Sequence, residues 1–156
     1  MSKFILIRKK IDTFKRKTLS IPGDKSISIR FILLSSLTKG KCTGYNILKS
    51  EDVYSAIKIL RKLGVKINIK KSYCEVYGRG LFGYKYKKNL ILDSGNSGTT
   101  ARLICSTIVD AKYPIKITGD KSLRTRDMKR IIKPLKLFGV KFRNNNDKLP
   151  LFIKGS

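Results

Sequence analysis

Two stretches of this chain end in the same way, and that recurrence constrains the fold more than any other feature. Leu60-x-x-Leu63-Gly64-Val65-Lys66-Ile67 is matched by Leu135-x-x-Phe138-Gly139-Val140-Lys141-Phe142. Upstream, Arg30 and Arg102 each fall early in an apolar run that follows a glycine-containing turn. The offsets are 75 and 72 residues, so the spacing nearly holds across the unit. Self-similarity at a nearly fixed period indicates a duplicated structural unit. A glycine directly after an apolar helical stripe reads as a helix stop, and the alternation beyond it as a strand. Each copy therefore reads β-α-β-α-β-β, a mixed sheet with helices on one side.

Taken in order, residues 3–9 read as a short strand, Ile11 to Lys17 as a basic connector and Leu19 to Pro22 as a second short strand. A helix is expected from about Ser26 to Thr38, stopping at Lys39-Gly40, and Lys41 to Leu48 is strand-like. Ser50-Glu51-Asp52 starts a second helix with Ser50 as N-cap, and Val53, Ala56, Ile57, Leu60 and Leu63 give it one apolar face. Val65 to Ile69 alternates as a half-buried strand with Tyr73 to Tyr77 as its hairpin partner, and Gly78 to Lys88 reads as a loop. The second copy runs through a strand at Leu90 to Leu92, a turn at Gly95-Asn96-Ser97-Gly98 and a helix from Thr99 to Val109. A strand at Ile115 to Ile117, a basic turn from Asp120 to Arg126 and a helix from Met128 to Phe138, kinked at Pro134, follow. Two strands, Gly139 to Phe142 and Leu151 to Ile153, close it across a turn at Asn144 to Asp147. The expected divisions are 1–18 for the N-terminal strand and connector, 19–88 for the first unit and 89–156 for the second.

Composition narrows the function. A hydrophobic content of 41% argues against disorder. No apolar run approaches the roughly 18 residues of a membrane span. Phe4-Ile5-Leu6-Ile7 is too short for a signal-peptide core and precedes its basic cluster. A soluble, cytoplasmic chain is the expectation. The net charge of +26 invites a nucleic-acid reading, yet the lysines are spread almost evenly rather than gathered in a stripe. Ile, Asn, Phe and Tyr are plentiful too, the set that A/T-rich codons favour, so compositional drift is the better reading. Non-specific binding to polyanions at low salt is expected either way. Cys42, Cys74 and Cys105 form no C-x-x-C pair, and the chain has no histidine, which argues against zinc and excludes a Ser-His-Asp or Cys-His site.

Chemistry concentrates at Pro22-Gly23-Asp24-Lys25-Ser26-Ile27-Ser28-Ile29-Arg30. Gly23 permits a sharp turn, and Asp24 or Ser26 can cap the helix that follows. Free N–H groups at a helix start attract anions, and Lys25, Arg30 and the hydroxyls of Ser26 and Ser28 add to that pull. This stretch resembles the signature of the 5-enolpyruvylshikimate-3-phosphate synthase family, the 3-phosphoshikimate 1-carboxyvinyltransferases. Leu48-x-Ser50-x-Asp52, Gly95-Asn96-Ser97-Gly98-Thr99-Thr100-x-Arg102 and Gly119-Asp120-x-Ser122-Leu123-x-x-Arg126-x-Met128 follow in that family's order.

The resemblance implies an α/β fold of α+β type, the inverse α/β barrel of repeated β-α-β-α-β-β units, with two units of one domain present and a third missing. It implies transfer of the enolpyruvyl group of phosphoenolpyruvate to the 5-hydroxyl of shikimate 3-phosphate, releasing phosphate, with no cofactor or metal. This is a step of the shikimate pathway to chorismate and the aromatic amino acids. Each substrate carries a phosphate and a carboxylate, so fixed cations and oriented donors must hold them. By resemblance, Lys25 would contact both substrates, Ser26 and Arg30 shikimate 3-phosphate, and Asn96, Gly98 and Arg126 phosphoenolpyruvate. Any side chain at Gly98 would crowd a small ligand lying on the backbone. No catalytic residue is assigned within this chain, because the family's acid–base carboxylates, further arginines and a second lysine lie in the remaining two-thirds. Little or no turnover is expected from the chain alone, and a separate chain carrying the remainder is its candidate partner. Arg102 is read as a structural partner in its helix, Asp52 as the brace of a helix start and Arg124 as solvated. Ile29 stands where a polar residue is frequent, and Asp127 where a proline commonly follows the arginine, an acid that would weaken the pull of Arg126. The alternatives are an enzyme resembling the UDP-N-acetylglucosamine enolpyruvyl transferases, which share the fold but match less well at Lys25 to Arg30, and a basic nucleic-acid-binding module.

Overall fold

In the computed structural model, which describes residues 20–156, the repeated ending is one helix stop built twice. It closes α2 (Glu51–Lys62) and α5 (Lys129–Leu137). Gly64 and Gly139 have φ of 83° and 82°, left-handed backbone that glycine adopts without strain. The amides of Gly64 and Val65 donate to the carbonyls of Arg61 and Leu60, and those of Gly139 and Val140 to Lys136 and Leu135. Each pair of bonds satisfies carbonyls that a helix end otherwise leaves open. Leu60, Val65, Leu135 and Val140 are buried around these stops. The copies differ most in burial at one position: Leu63 is fully buried, whereas Phe138 is 76% exposed.

The remaining elements are α1 (Lys25–Ser36), β1 (Lys41–Tyr45), β2 (Lys66–Ile69), β3 (Tyr73–Tyr77), β4 (Ile91–Asp93), α3 (Gly98–Thr107), β5 (Ile115–Thr118), α4 (Lys121–Thr125), β6 (Lys141–Asn145) and β7 (Lys148–Lys154). They form two sheets, ordered β1-β3-β2 and β4-β5-β7-β6. β4 runs parallel to β5, and every other pairing is antiparallel. Without β4 the second sheet repeats the first in order and direction. Asn146 and Asp147, at φ of 50° and 54°, supply the two left-handed residues that a tight β6–β7 hairpin requires.

The strand expected at residues 3–9 and the connector from Ile11 to Lys17 lie outside the described residues. Several other expectations need correction. Ser20 to Pro22 is not a strand: Pro22 has no N–H to give a ladder, and the segment is held by Asn46 Nδ2 donating to the Ile21 carbonyl at 3.1 Å. β1 ends at Tyr45 because Asn46 turns to φ 53°. α1 ends at Ser36, with Leu37 as its C-cap, short of the expected Lys39-Gly40. Asp120 to Arg126 is not a plain turn. Asp120 Oδ1 accepts from the Leu123 amide at 2.7 Å and caps the short helix α4. Gly23 serves close packing: a Cβ there would lie 1.8 Å from the Asn46 carbonyl oxygen.

One continuous apolar core joins the two sheets and their helices, with α1, α2 and α3 packed against one another. Ile29 is fully buried in it, so the apolar residue at that motif position serves packing. Ser28, 2% exposed, spends its hydroxyl inward, donating to the Asp24 carbonyl at 2.6 Å and accepting from the Leu48 amide at 3.0 Å. The loop from Gly78 to Lys88 is anchored by the partly buried Tyr84, whose hydroxyl lies 2.6 Å from Ser36 Oγ.

Burial pushes the Cys105 thiol from 9.0 up to about 12 and also raises that of Cys74. In the native state at pH 8, an alkylating reagent is expected to label the half-buried Cys42 and spare the other two, which mass spectrometry reads directly. Cys105 favours the folded state fully below its ordinary value of 9.0, and that contribution is lost as pH rises toward about 12.

Candidate anion-binding site

Capping sets the site. Asp24 Oδ1 accepts from the Ile27 amide at 2.7 Å and starts α1 at Lys25. Ser97 accepts from the Thr100 amide at 3.3 Å and starts α3 at Gly98. Ser50 holds the cap position of α2, but its hydroxyl makes no capping bond. These starts, with the Arg126 that follows α4, surround a polar cavity of about 290 Å³ lined by Lys25, Asp52, Asn96, Gly98, Thr99, Arg102 and Arg126. The positive ends of α1, α2 and α3 thus add to three cationic side chains, against one carboxylate.

The carboxylate, Asp52 Oδ2, lies 3.2 Å from Lys25 Nζ, so its role extends beyond bracing a helix start. Lys25 is half exposed, which leaves its ammonium free to exchange that partner for an incoming anion. Arg126 Nη2 donates to Asn96 Oδ1 at 2.5 Å and to Ser122 Oγ at 3.4 Å. Asn96 Nδ2 in turn donates to Asp120 Oδ2 at 2.8 Å. Arg102 Nη2 donates to the Asp127 carbonyl at 3.0 Å, while its buried Nε has no partner. Arg102 therefore braces the segment after α4 and also lines the cavity.

Gly98 has a steric reason of its own: a Cβ there would stand 2.8 Å from Arg102 Nη1 and 3.3 Å from Arg126 Nη1. Its bare backbone leaves room for two guanidinium groups. Asp127 turns its carboxylate to the start of α5, accepting from the Lys129 amide at 2.5 Å. Arg124 is exposed but not simply solvated, because its Nε donates to the Gly119 carbonyl at 2.8 Å.

Of the residues singled out from sequence, Lys25, Asn96, Gly98 and Arg126 meet at the cavity. Ser26 and Arg30 do not line it. They lie four positions apart on α1 and share one face of it. Asp52 and Arg102 join the cavity unforeseen, although both stand inside the quoted motifs. A larger hollow of about 420 Å³, between Gly23, Asn46 to Lys49 and Ile69 to Tyr73, contains none of these residues. Among the described residues, no group of His, Cys, Asp and Glu could hold a metal ion, and no helix is long and apolar enough to cross a membrane.

The duplicated α/β chain gathers three helix starts and three cationic side chains at one small cavity, an arrangement suited to anions. The chain belongs to the EPSP synthase family: residues 11–156 match the family model for EPSP synthase (3-phosphoshikimate 1-carboxyvinyltransferase). It is 45% identical over 141 residues to the 3-phosphoshikimate 1-carboxyvinyltransferase of Streptococcus mutans serotype c, covering 89% of this chain and 33% of the relative. Against the enzyme of the same name from Ruthia magnifica it is 43% identical over 155 residues, covering 99% and 35%. The solved EPSP synthase of Acinetobacter baumannii superposes with a TM-score of 0.81 at 33% identity, over 88% of this chain and 32% of that one. The fold is thus that of the inverse α/β barrel, as the motifs imply. The chain spans about a third of the length of the curated relatives it matches.

Proposed function

We propose that this chain is the part of a 3-phosphoshikimate 1-carboxyvinyltransferase that grips the anionic groups of phosphoenolpyruvate and shikimate 3-phosphate. The carrying observation is the meeting of Lys25, Asn96, Gly98 and Arg126, from separate parts of the sequence, at one polar cavity. In this reading Arg126 and Asn96 hold phosphoenolpyruvate over the bare backbone of Gly98, and Ser26 and Arg30 hold shikimate 3-phosphate on the adjoining face of α1. Lys25, at the junction of cavity and helix face, contacts both.

The transfer protonates the enol methylene, adds the 5-hydroxyl oxygen to the neighbouring carbon with loss of the hydroxyl proton, and then expels phosphate as a proton leaves the new methyl group, restoring the double bond. Fixed cations favour it by stabilising the charge of the tetrahedral intermediate. The cavity offers one carboxylate, Asp52, already engaged with Lys25, and no second group for paired acid and base work. Turnover is therefore assigned to this chain together with the part of the family fold that it does not span. Leu137 and Phe138, 89% and 76% exposed at the end of α5, support a further packed neighbour.

Titration with shikimate 3-phosphate near physiological salt, followed by amide chemical shifts, tests the reading, with shikimate and a DNA duplex as controls. Saturable shifts at Lys25 to Arg30 that unphosphorylated shikimate does not produce are expected. Binding of DNA alone, collapsing steeply as salt rises, would instead favour the nucleic-acid reading.

A further inference from the structure

We propose that Asp120 is a positioning residue of this site, acting through Asn96 to hold Arg126. The inference rests on the reading of the cavity as a phosphoenolpyruvate site, but its geometry stands independently. Asp120 divides its carboxylate: Oδ1 accepts from the Leu123 amide at 2.7 Å, and Oδ2 accepts from Asn96 Nδ2 at 2.8 Å. The Asp120 amide donates to the Gly95 carbonyl at 2.8 Å, which ties the turn after β5 to the turn after β4.

The two ends of an asparagine amide have nearly the same shape but opposite hydrogen-bonding character. A carboxylate only accepts, so Asp120 selects the NH2 end of Asn96. That choice turns the Asn96 carbonyl oxygen to Arg126, which only donates, and the Arg126 Nη2 bond results. A flipped amide would set acceptor against acceptor at Asp120 and donor against donor at Arg126. With one N–H held by Asn96, the Arg126 guanidinium keeps its orientation while other N–H groups remain for an anion.

Asp120 also carries a negative charge near a cationic cavity, and this gives the test a sign. A purely electrostatic role means that neutralising Asp120 tightens anion binding. A positioning role means that the same change loosens it.

Asp120→Asn in the full chain separates the two. Asparagine caps a helix as well as aspartate, so α4 is retained with the substituted side chain's oxygen on the Leu123 amide. Its NH2 end then faces Asn96, which flips and presents NH2 to Arg126. The expected result is about tenfold weaker binding of phosphoenolpyruvate, with thermal midpoint and shikimate 3-phosphate affinity unchanged. Asn96→Ala should lose a similar factor, and the double variant no more than either alone. Unchanged or tighter phosphoenolpyruvate binding in Asp120→Asn, or full additivity in the double variant, would overturn the proposal.

If the native chain binds no phosphoenolpyruvate, the functional reading fails and the ligand-free side-chain amide signals of Asn96 decide. Their displacement in Asp120→Asn supports the positioning role, and signals left in place refute it. Should Asp120→Asn not fold, the Arg126 guanidinium signals in Asn96→Ala decide instead: loss of their native shift supports the coupling, and an unaltered spectrum refutes it.

Discussion

Replacing Gly23 with alanine is expected to cost about 3 kcal/mol of stability, measured as the shift of a urea midpoint at constant slope. The added Cβ would lie 1.8 Å from the Asn46 carbonyl oxygen, 3.0 Å from its carbon and 3.1 Å from the Leu48 nitrogen. These are backbone atoms and cannot rotate away, so the chain on one side must move. Movement there breaks the 3.0 Å bond from the Leu48 amide to Ser28 Oγ, leaving the buried Ser28 one partner short. The entry of α1, and with it Lys25, shifts as well. Gly98→Ala is the informative contrast. Its Cβ meets the tips of Arg102 and Arg126, which can swing aside, so about 1 kcal/mol or less is expected and the damage falls on ligand binding.

Arg126→Ala is expected to weaken phosphoenolpyruvate binding about a hundredfold while leaving the fold intact. A charge-assisted hydrogen bond to an anion contributes about 1.5–3 kcal/mol, and a guanidinium can supply two in parallel. The side chain is exposed and its partners, Asn96 and Ser122, also reach solvent, so little stability is lost with it. Arg126→Lys should recover only part of the affinity, because an ammonium lacks the planar fork. Calorimetry at fixed salt measures both, and shikimate 3-phosphate affinity should be nearly unchanged, since Ser26 and Arg30 lie outside the cavity.

Much of this was legible in the sequence because it is local. Apolar positions at helical spacing, Asp24 and Ser97 ahead of helices, and glycine after Leu63 and Phe138 each specify backbone within a few residues. The motif residues Lys25, Asn96, Gly98 and Arg126 line one cavity. What was not legible depends on contacts distant in sequence. The close approach of Gly23 to Asn46 and the Lys25–Asp52 ion pair exist only once α1 and α2 are packed. The side-chain bond from Asp120 to the Leu123 amide turned an expected basic turn into α4. Sequence alone sets the acid Asp127 against the pull of Arg126, whereas in the fold its carboxylate is engaged at the start of α5. Arg102 could have been suspected from its place in the glycine-rich motif, but its partner, the Asp127 carbonyl, lies on another element.

The most direct measurement is a titration of the purified chain with phosphoenolpyruvate near physiological salt, mapped residue by residue through amide and side-chain signals. The expected result is saturable shifts at Lys25, Asn96, Gly98 and Arg126 together, with the hollow between Asn46 and Tyr73 unaffected. Shifts spread over the exposed lysines, fading as salt rises and sparing Asn96 and Gly98, would contradict the cavity as the anion site.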